Sequence, residues 1–179
     1  MTNKPIIRCS SLPQLLACPG SRVLVDLIRP EGEDDTASQE GVWAHRHVAQ
    51  RLIDEEEAVG VAMGQASSDY KPSPFARWMA DFAFDAVTVD LGLEWAIAVE
   101  QEMQWEFPNF ILTGHPDFVA VNSAGAAKVW DFKFGSIPVE IADYNEQLVG
   151  YFALLALTHP VGAVEISASI VQPRNNDEG

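Results

Sequence analysis

The chain has 179 residues, of which 47% are hydrophobic and 21% are charged, so it can bury a core and does not have the composition of a disordered protein. Its 11 basic and 26 acidic residues give a net charge of −15, which argues against binding nucleic acid by general charge attraction. No apolar run approaches the ~20 residues of a membrane span, and residues 1–8 lack the apolar stretch of a secretory signal. We therefore expect a cytoplasmic protein without membrane contact.

The first half of the chain is predicted to be mostly helical. A short amphipathic helix is expected over residues 10–18, and apolar residues at helical spacing predict longer helices from about 37 to 57 and from 74 to about 91. The acidic, polar stretch 29–39 and the stretch 60–74, rich in Gly, Ser and Pro, are predicted to be loops.

The second half has the alternating pattern of strands. The expected elements are strands at 95–107, 110–121, 127–134 and 162–171 and a helix at 142–157, with a hairpin turn containing Gly125 at 122–126. The order helix, strand, strand, strand, helix, strand predicts an α/β sandwich with one small mixed sheet flanked by helices. We expect one domain over residues 1–179, with a mostly helical part at 1–92 and the core strands and helix at 93–172.

The strand expected at 127–134 carries a charged pair on an otherwise apolar element. Because alternate residues of a strand share a face, Asp131 and Lys133 point the same way, and Trp130, Phe132 and Phe134 pack on the other side. A buried carboxylate needs a partner or an ion. A surface salt bridge on an amphipathic strand is the alternative interpretation.

A second carboxylate lies on the preceding strand. Asp117 stands in an apolar run, and Gly114 and Pro116 predict a bend or bulge that aims its side chain. Two strand-borne carboxylates with one lysine suit phosphodiester hydrolysis with Mg²⁺ or Mn²⁺. The alternative for Asp117 is a residue that caps a turn at the bend.

These residues spell a known signature. Pro116-Asp117 followed by Asp131-Phe132-Lys133 resembles the PD-(D/E)XK nuclease superfamily, and the chain is similar to its RecB-like branch over most of its length. The branch's ordered motifs Gly-x-x-x-His, Gly-x-x-Asp, Asp-x-Lys and Gln-x-x-x-Tyr are matched by Gly41–His45, Gly114–Asp117, Asp131–Lys133 and Gln147–Tyr151. The segments 131–135 and 170–174 look like those of phage- and prophage-borne members.

The resemblance implies a role for each matched residue, on a PD-(D/E)XK, restriction-endonuclease-like αβββαβ core with N-terminal helical additions. The metal ligands would be His45, Asp117, Asp131 and the backbone carbonyl of Phe132, and Lys133 would be the catalytic lysine beside the two aspartates. Gln147 and Tyr151 would contact DNA or brace the site, although a polar stripe on an amphipathic helix is an equal alternative. Glu100 would lie near the metal or behind its ligands. His47 is not expected to share the metal, because it lies roughly on the opposite side of the helix from His45. His115 is expected to be structural, because it points to the face opposite Asp117.

An iron–sulfur cluster, present in some RecB-like nucleases, is not expected in this chain. Such a cluster needs three cysteines after the last helix, whereas the sequence has only Cys9 and Cys18, both near its start. A disulfide framework is equally unsupported.

The resemblance therefore implies a Mg²⁺- or Mn²⁺-dependent deoxyribonuclease, with exonuclease action in phage recombination or DNA end processing as the first expectation. Linear double-stranded or single-stranded DNA is the expected partner, in a bacterial cytoplasm, and a homo-oligomer or a phage recombination partner is left open. Two alternatives stay open: a catalytically silent binding module with the same fold, which the charge of −15 favours, and a metal-dependent hydrolase of small phosphoesters.

Overall fold

The computed structural model describes residues 4–18, 36–57, 71–91, 95–135, 137–158 and 165–173. The described chain is mixed α/β, as the sequence predicts. Its helices are α1 (Leu12–Ala17, after a 3-10 turn at Cys9–Ser11), α2 (Thr36–Glu57), α3 (Pro74–Asp90) and α4 (Glu146–Thr158, after a 3-10 turn at Ala142–Tyr144). Its strands are β1 (Ile6–Arg8), β2 (Trp95–Val99), β3 (Met103–Glu106), β4 (Ile111–Gly114), β5 (Phe118–Asn122), β6 (Ala126–Phe132) and β7 (Glu165–Val171).

Local chemistry explains where α3 and α4 begin. Ser73 caps α3 by accepting a hydrogen bond from the Ala76 amide at 3.0 Å, and Pro74 occupies the first helical position, where a missing N–H costs nothing. Asn145 accepts from the Leu148 amide at 3.1 Å and so satisfies a free donor at the start of α4. Among the described residues, no helix has both the length and the apolarity needed to cross a bilayer.

The strands form two small mixed sheets. In the larger sheet the order is β2-β5-β6-β7, with β6 and β7 parallel and the other pairs antiparallel. In the smaller sheet the order is β1-β4-β3, with β1 parallel to β4. Gly125, at φ 86°, closes the predicted hairpin turn between β5 and β6.

The prediction of a single sheet with unbroken strands at 95–107 and 110–121 is wrong. Both predicted strands bend at the same level, so that β2 and β5 belong to the larger sheet and β3 and β4 to the smaller one. The bend on one side is Glu100, at φ 52°, and on the other side it is the segment 115–117. The Glu100 amide donates to the Asp117 carbonyl at 3.1 Å, which keeps the two bends together.

The larger sheet lies between two helical layers. Its first face packs against α2 and α3 through Ala44, Val48, Leu52, Met79, Ala83, Phe118, Trp130, Phe132 and Phe134. Its second face and the smaller sheet pack against α4 through Cys9, Met103, Leu112, Val119, Val129, Leu148, Leu154 and Leu155. Because strand residues alternate, Asp131 is directed to the α4 side, as the sequence pattern predicts.

Two predicted boundaries need correction, and one strand is not predicted by the sequence. Residue 36, predicted as loop, belongs to α2, and so do residues 37–39, where the predicted loop and the predicted helix overlap. Residues 29–35 and 60–70 of the predicted loops lie outside the described residues. The third predicted strand ends at Phe132 rather than at residue 134. Strand β1 was not predicted, because three residues are too few to show an alternating pattern.

Candidate metal centre

The motif residues line one pocket of about 880 Å³. It opens where α2, α4 and the bends of the two sheets meet, and the side chains that line it include His45, Asp117, Asp131, Lys133, Gln147 and Tyr151. These residues come from four separate elements or bends, and their convergence depends on the tertiary fold.

His45, Glu100 and Asp117 form the tightest group. Each offers one donor atom, and the three atoms all lie within 4.8 Å of one another. His45 Nδ1 is 3.3 Å from Asp117 Oδ1, and its ring is held edge-on against Phe134 with 4.8 Å between ring centroids. One imidazole and two carboxylates at this separation are suited to a divalent ion that accepts nitrogen and oxygen ligands.

Glu100 enters this group because of an unusual backbone. Its φ of 52° lies in the left-handed region, which disfavours residues with a Cβ, and it is the only such non-glycine among the described residues. Strained backbone of this kind is concentrated at functional sites. The conformation turns the chain from β2 toward β3 at the level of Asp117.

Asp131 lies deeper in the same pocket. Its residue is 2% exposed, Oδ1 accepts from Gln147 Nε2 at 3.0 Å, and Oδ2 lies 2.6 Å from Lys133 Nζ. Within the described part of the chain, Oδ2 accepts no hydrogen bond of acceptable geometry. Burying a carboxylate oxygen that has only an ionic contact costs free energy. Such an oxygen is suited to coordinate a cation. Asp131 is nevertheless outside the tight group formed by His45.

Gln147 and Tyr151 connect the site to α4 and to the bend. Gln147 donates to Asp131 and to Tyr151 Oη, at 3.0 and 2.7 Å, and its Oε1 accepts from Lys133 Nζ at 3.2 Å. The Tyr151 hydroxyl donates to the His115 carbonyl at 2.9 Å. Tyr151 is 2% exposed, so its hydroxyl is part of the frame of the site. The geometry favours bracing over a solvated polar stripe.

The charges of the pocket disturb its titrating groups. Burial lowers the pKa of His45, but the hydrogen bond to Asp117 and the nearby carboxylates outweigh it and raise the pKa overall. Partial burial, with Asp117 nearby, raises the pKa of Glu100. Burial raises the pKa of Asp131 to about 6 in spite of Lys133. Burial is the main cause of both carboxylate shifts, because it disfavours the charged form, and a bound cation would stabilise that charged form.

The structure brings together the sequence-predicted residues His45, Asp117, Asp131, Lys133, Gln147 and Tyr151 around one pocket. Phe132 is close as well, where its amide donates to Asp117 Oδ2 at 2.5 Å. Glu100, which the resemblance predicts to lie near the metal or behind its ligands, lies directly beside His45 and Asp117. His47 stacks on Trp43 with 4.6 Å between ring centroids, away from the group, as expected. Sequence reasoning missed Arg8, which lines the pocket from β1.

Comparison with known proteins adds nothing to these observations: no protein-family model matches the chain, and a search of curated proteins finds no match.

Proposed function

We propose that this chain is a metal-dependent DNA nuclease of the PD-(D/E)XK type, similar to the RecB-like branch, that hydrolyses phosphodiester bonds with Mg²⁺ or Mn²⁺. The observation that supports this most is the meeting of His45, Glu100 and Asp117 within 4.8 Å of one another. Of these, His45 and Asp117 line the same pocket as the Asp131–Lys133 pair. The ordered motifs that predict these residues are the second support.

The donor set fits a divalent ion. His45, Glu100 and Asp117 supply the close group. Asp131 lines the pocket, and its buried Oδ2 accepts no hydrogen bond from the described residues. When bound, the ion would lower the pKa of a water molecule and stabilise negative charge on the phosphate.

Lys133 is the residue that acts on the substrate directly. Its ammonium has three N–H donors, and Asp131 Oδ2 and Gln147 Oε1 lie 2.6 and 3.2 Å from Nζ. Gln147 Oε1 accepts one of these donors and Asp131 Oδ2 makes an ionic contact, so N–H donors remain for a phosphate oxygen or for the attacking water. Held in this way, Lys133 stabilises charge that develops on the phosphate as water adds to phosphorus and the P–O bond to the leaving strand breaks. The products are one strand end with a phosphate and one with a hydroxyl.

The test is cleavage of labelled linear duplex, closed circular and single-stranded DNA by the purified chain with Mn²⁺, Mg²⁺ or EDTA. We expect cleavage that requires the ion, and a preference for DNA with ends if the enzyme is an exonuclease. Asp131→Ala and Lys133→Ala should each lower the rate at least a hundredfold. Lys128→Ala is the matched control, because Lys128 lies on the same strand over the Trp95 ring, outside the pocket lining.

A second candidate is supported by one observation, the net charge of −15. A catalytically silent binding module of the same fold would bind Mn²⁺, measured by titration calorimetry, and leave all three DNAs intact. Cleavage that survives in both Asp131→Ala and Lys133→Ala would contradict the proposed site. Mn²⁺ binding without any DNA cleavage would contradict the nuclease proposal and favour the silent binding module.

A further inference from the structure

Arg8 is a cation on the wall of the candidate active site that the proposed mechanism does not use. It is the last residue of β1, is exposed, and lines the same pocket as His45 and Lys133. Among the described residues, Arg8 and Lys133 are the lysine and arginine side chains that line this pocket. Lys133 is held by Asp131 and Gln147, whereas the guanidinium of Arg8 makes no ion pair within the described chain.

The position of Arg8 is set by the fold. Strand β1 pairs in parallel with β4, and the register places Arg8 opposite Thr113, next to the bend that carries Asp117. The following residue, Cys9, is fully buried beneath Gly150 of α4, where an added Cβ would lie 2.7 Å from its sulfur. Close packing on both sides therefore keeps the end of β1 at the pocket.

The surroundings of Arg8 suit an anion with several oxygens. Ser10, two residues along the chain, and Thr113, opposite Arg8 in the strand register, line the same pocket and carry hydroxyl groups. Glu102, Asp117 and Asp131 also line the pocket, and within the described residues none of them forms an ion pair with Arg8. The forked guanidinium of an arginine can donate two parallel hydrogen bonds to the oxygens of a phosphate group, and a hydroxyl group can donate one more.

We propose that Arg8 binds a backbone phosphate of the DNA strand, a few nucleotides from the scissile one, and that it is the residue that positions the strand in an otherwise acidic protein. This inference rests on the proposed nuclease function. At about 3.3 Å per residue, Thr113 and Asp117 are at most about 13 Å apart, and phosphates recur every ~3.4 Å of axis along a strand. A DNA strand that is cut beside Asp117 therefore has neighbouring phosphates at the distance of Arg8.

The test compares Arg8→Gln and Arg8→Lys with the wild type on a fluorescein-labelled linear DNA. Loss of one charged phosphate contact should raise KM about tenfold in Arg8→Gln with kcat nearly unchanged, and Arg8→Lys should restore most of the affinity. The affinity for DNA, measured with Ca²⁺ in place of Mn²⁺, should also depend less steeply on salt concentration in Arg8→Gln. The slope of log K against log[salt] should fall by the amount expected for about one phosphate contact. Arg77→Gln, an exposed arginine on α3 outside the pocket lining, is the matched control.

A second arm locates the phosphate. Single phosphates of the DNA are replaced by neutral methylphosphonate, one position at a time. In the wild type, replacement at one position should raise KM about tenfold, and in Arg8→Gln the same replacement should have no further effect. Wild-type KM in Arg8→Gln, or equal sensitivity of both proteins at every position, would overturn the role of Arg8 and leave the nuclease standing. If the wild type neither binds nor cuts DNA, both proposals fall.

Discussion

The side-chain amide of Gln147 bridges Asp131 and Lys133. Its Nε2 donates to Asp131 Oδ1 at 3.0 Å, and its Oε1 accepts from Lys133 Nζ at 3.2 Å. The amide thereby fixes the distance between the carboxylate of Asp131, near the end of β6, and the ammonium of Lys133, just past the end of that strand. Because Gln147 is on α4 and is held in turn by Tyr151, the position of the pair depends on how α4 packs against the sheet.

Gln147→Met should therefore impair catalysis without impairing DNA binding. The variant keeps the length of the side chain and removes its hydrogen bonds, so we expect kcat to fall ten- to hundredfold, roughly the loss seen when a residue that orients a ligand is removed, while the Kd for DNA measured with Ca²⁺ stays within about twofold. Val149→Met, at an exposed position of the same helix, is the control. A weaker Kd with unchanged kcat would mean that Gln147 contacts DNA instead of bracing the site.

Asp131→Asn should stabilise the metal-free protein. Burial raises the pKa of Asp131 from 3.8 to about 6 in the folded state, so the folded protein holds this proton to a higher pH than the unfolded chain does. Ionisation between pH ~4 and ~6 therefore costs stability, about 3 kcal/mol at 1.36 kcal/mol per pKa unit. Asparagine avoids this cost, although it leaves Lys133 without its carboxylate, and we expect a net gain of about 2 kcal/mol at pH 8.

The measurement is urea unfolding in EDTA at pH 8 and at pH 5, with Asp85→Asn, an exposed carboxylate on α3, as control. The sign of the pKa shift requires the gain to be larger at pH 8 and to shrink at pH 5. A variant less stable than the wild type at pH 8 would show that Asp131 contributes to folding and is not held at a cost to stability.

The long helices and the acidic motif residues could be predicted from the sequence, whereas the bend at Glu100 could not. The helical pattern is sustained over many residues, so the predicted 37–57 differs from α2, Thr36–Glu57, at one end only. Local preference disfavours a left-handed glutamate, and nothing in the sequence of Trp95–Glu106 marks a break at Glu100. Strand β1 depends on pairing with β4, more than a hundred residues away, and a three-residue segment has no pattern of its own.

Glu100→Gly should relieve the backbone strain at the bend and remove one ligand of the proposed metal site. Glycine adopts a φ of 52° without the cost that a Cβ imposes, so the metal-free protein should gain about 1 kcal/mol in stability. The carboxylate beside His45 and Asp117 is lost at the same time, and the affinity for Mn²⁺ should fall about tenfold. Glu100→Gln, which loses the charge and keeps the strain, should bind Mn²⁺ equally weakly without the gain in stability.

Calorimetric titration with Mn²⁺ and thermal unfolding in EDTA distinguish the two effects of Glu100. Unchanged Mn²⁺ affinity in both variants would remove Glu100 from the metal group and leave His45 and Asp117 to hold the ion with Asp131. Lower stability of the glycine variant would mean that the side chain of Glu100, and not its backbone conformation, keeps the bend in place.

Two glycines in helices should respond oppositely to replacement by alanine. A Cβ on Gly150 would lie 2.7 Å from both Cys9 Sγ and Leu12 Cδ1, so Gly150→Ala forces the N-terminal segment away from α4 and should destabilise the protein by about 1 to 3 kcal/mol. A Cβ on Gly41 would meet its nearest neighbour, Phe134 Cβ, at 3.7 Å, an ordinary contact. Gly41→Ala should then gain the helix preference of alanine, about 0.5 to 1 kcal/mol.

Urea unfolding of both alanine variants in EDTA gives the two free energies of unfolding directly. Because the Gly150 contact also seats the end of β1, Gly150→Ala should in addition raise KM for DNA in the same direction as Arg8→Gln. If Gly150→Ala is as stable as the wild type, then Cys9 and Leu12 can move aside freely, and close packing against α4 is not what holds β1 at the pocket.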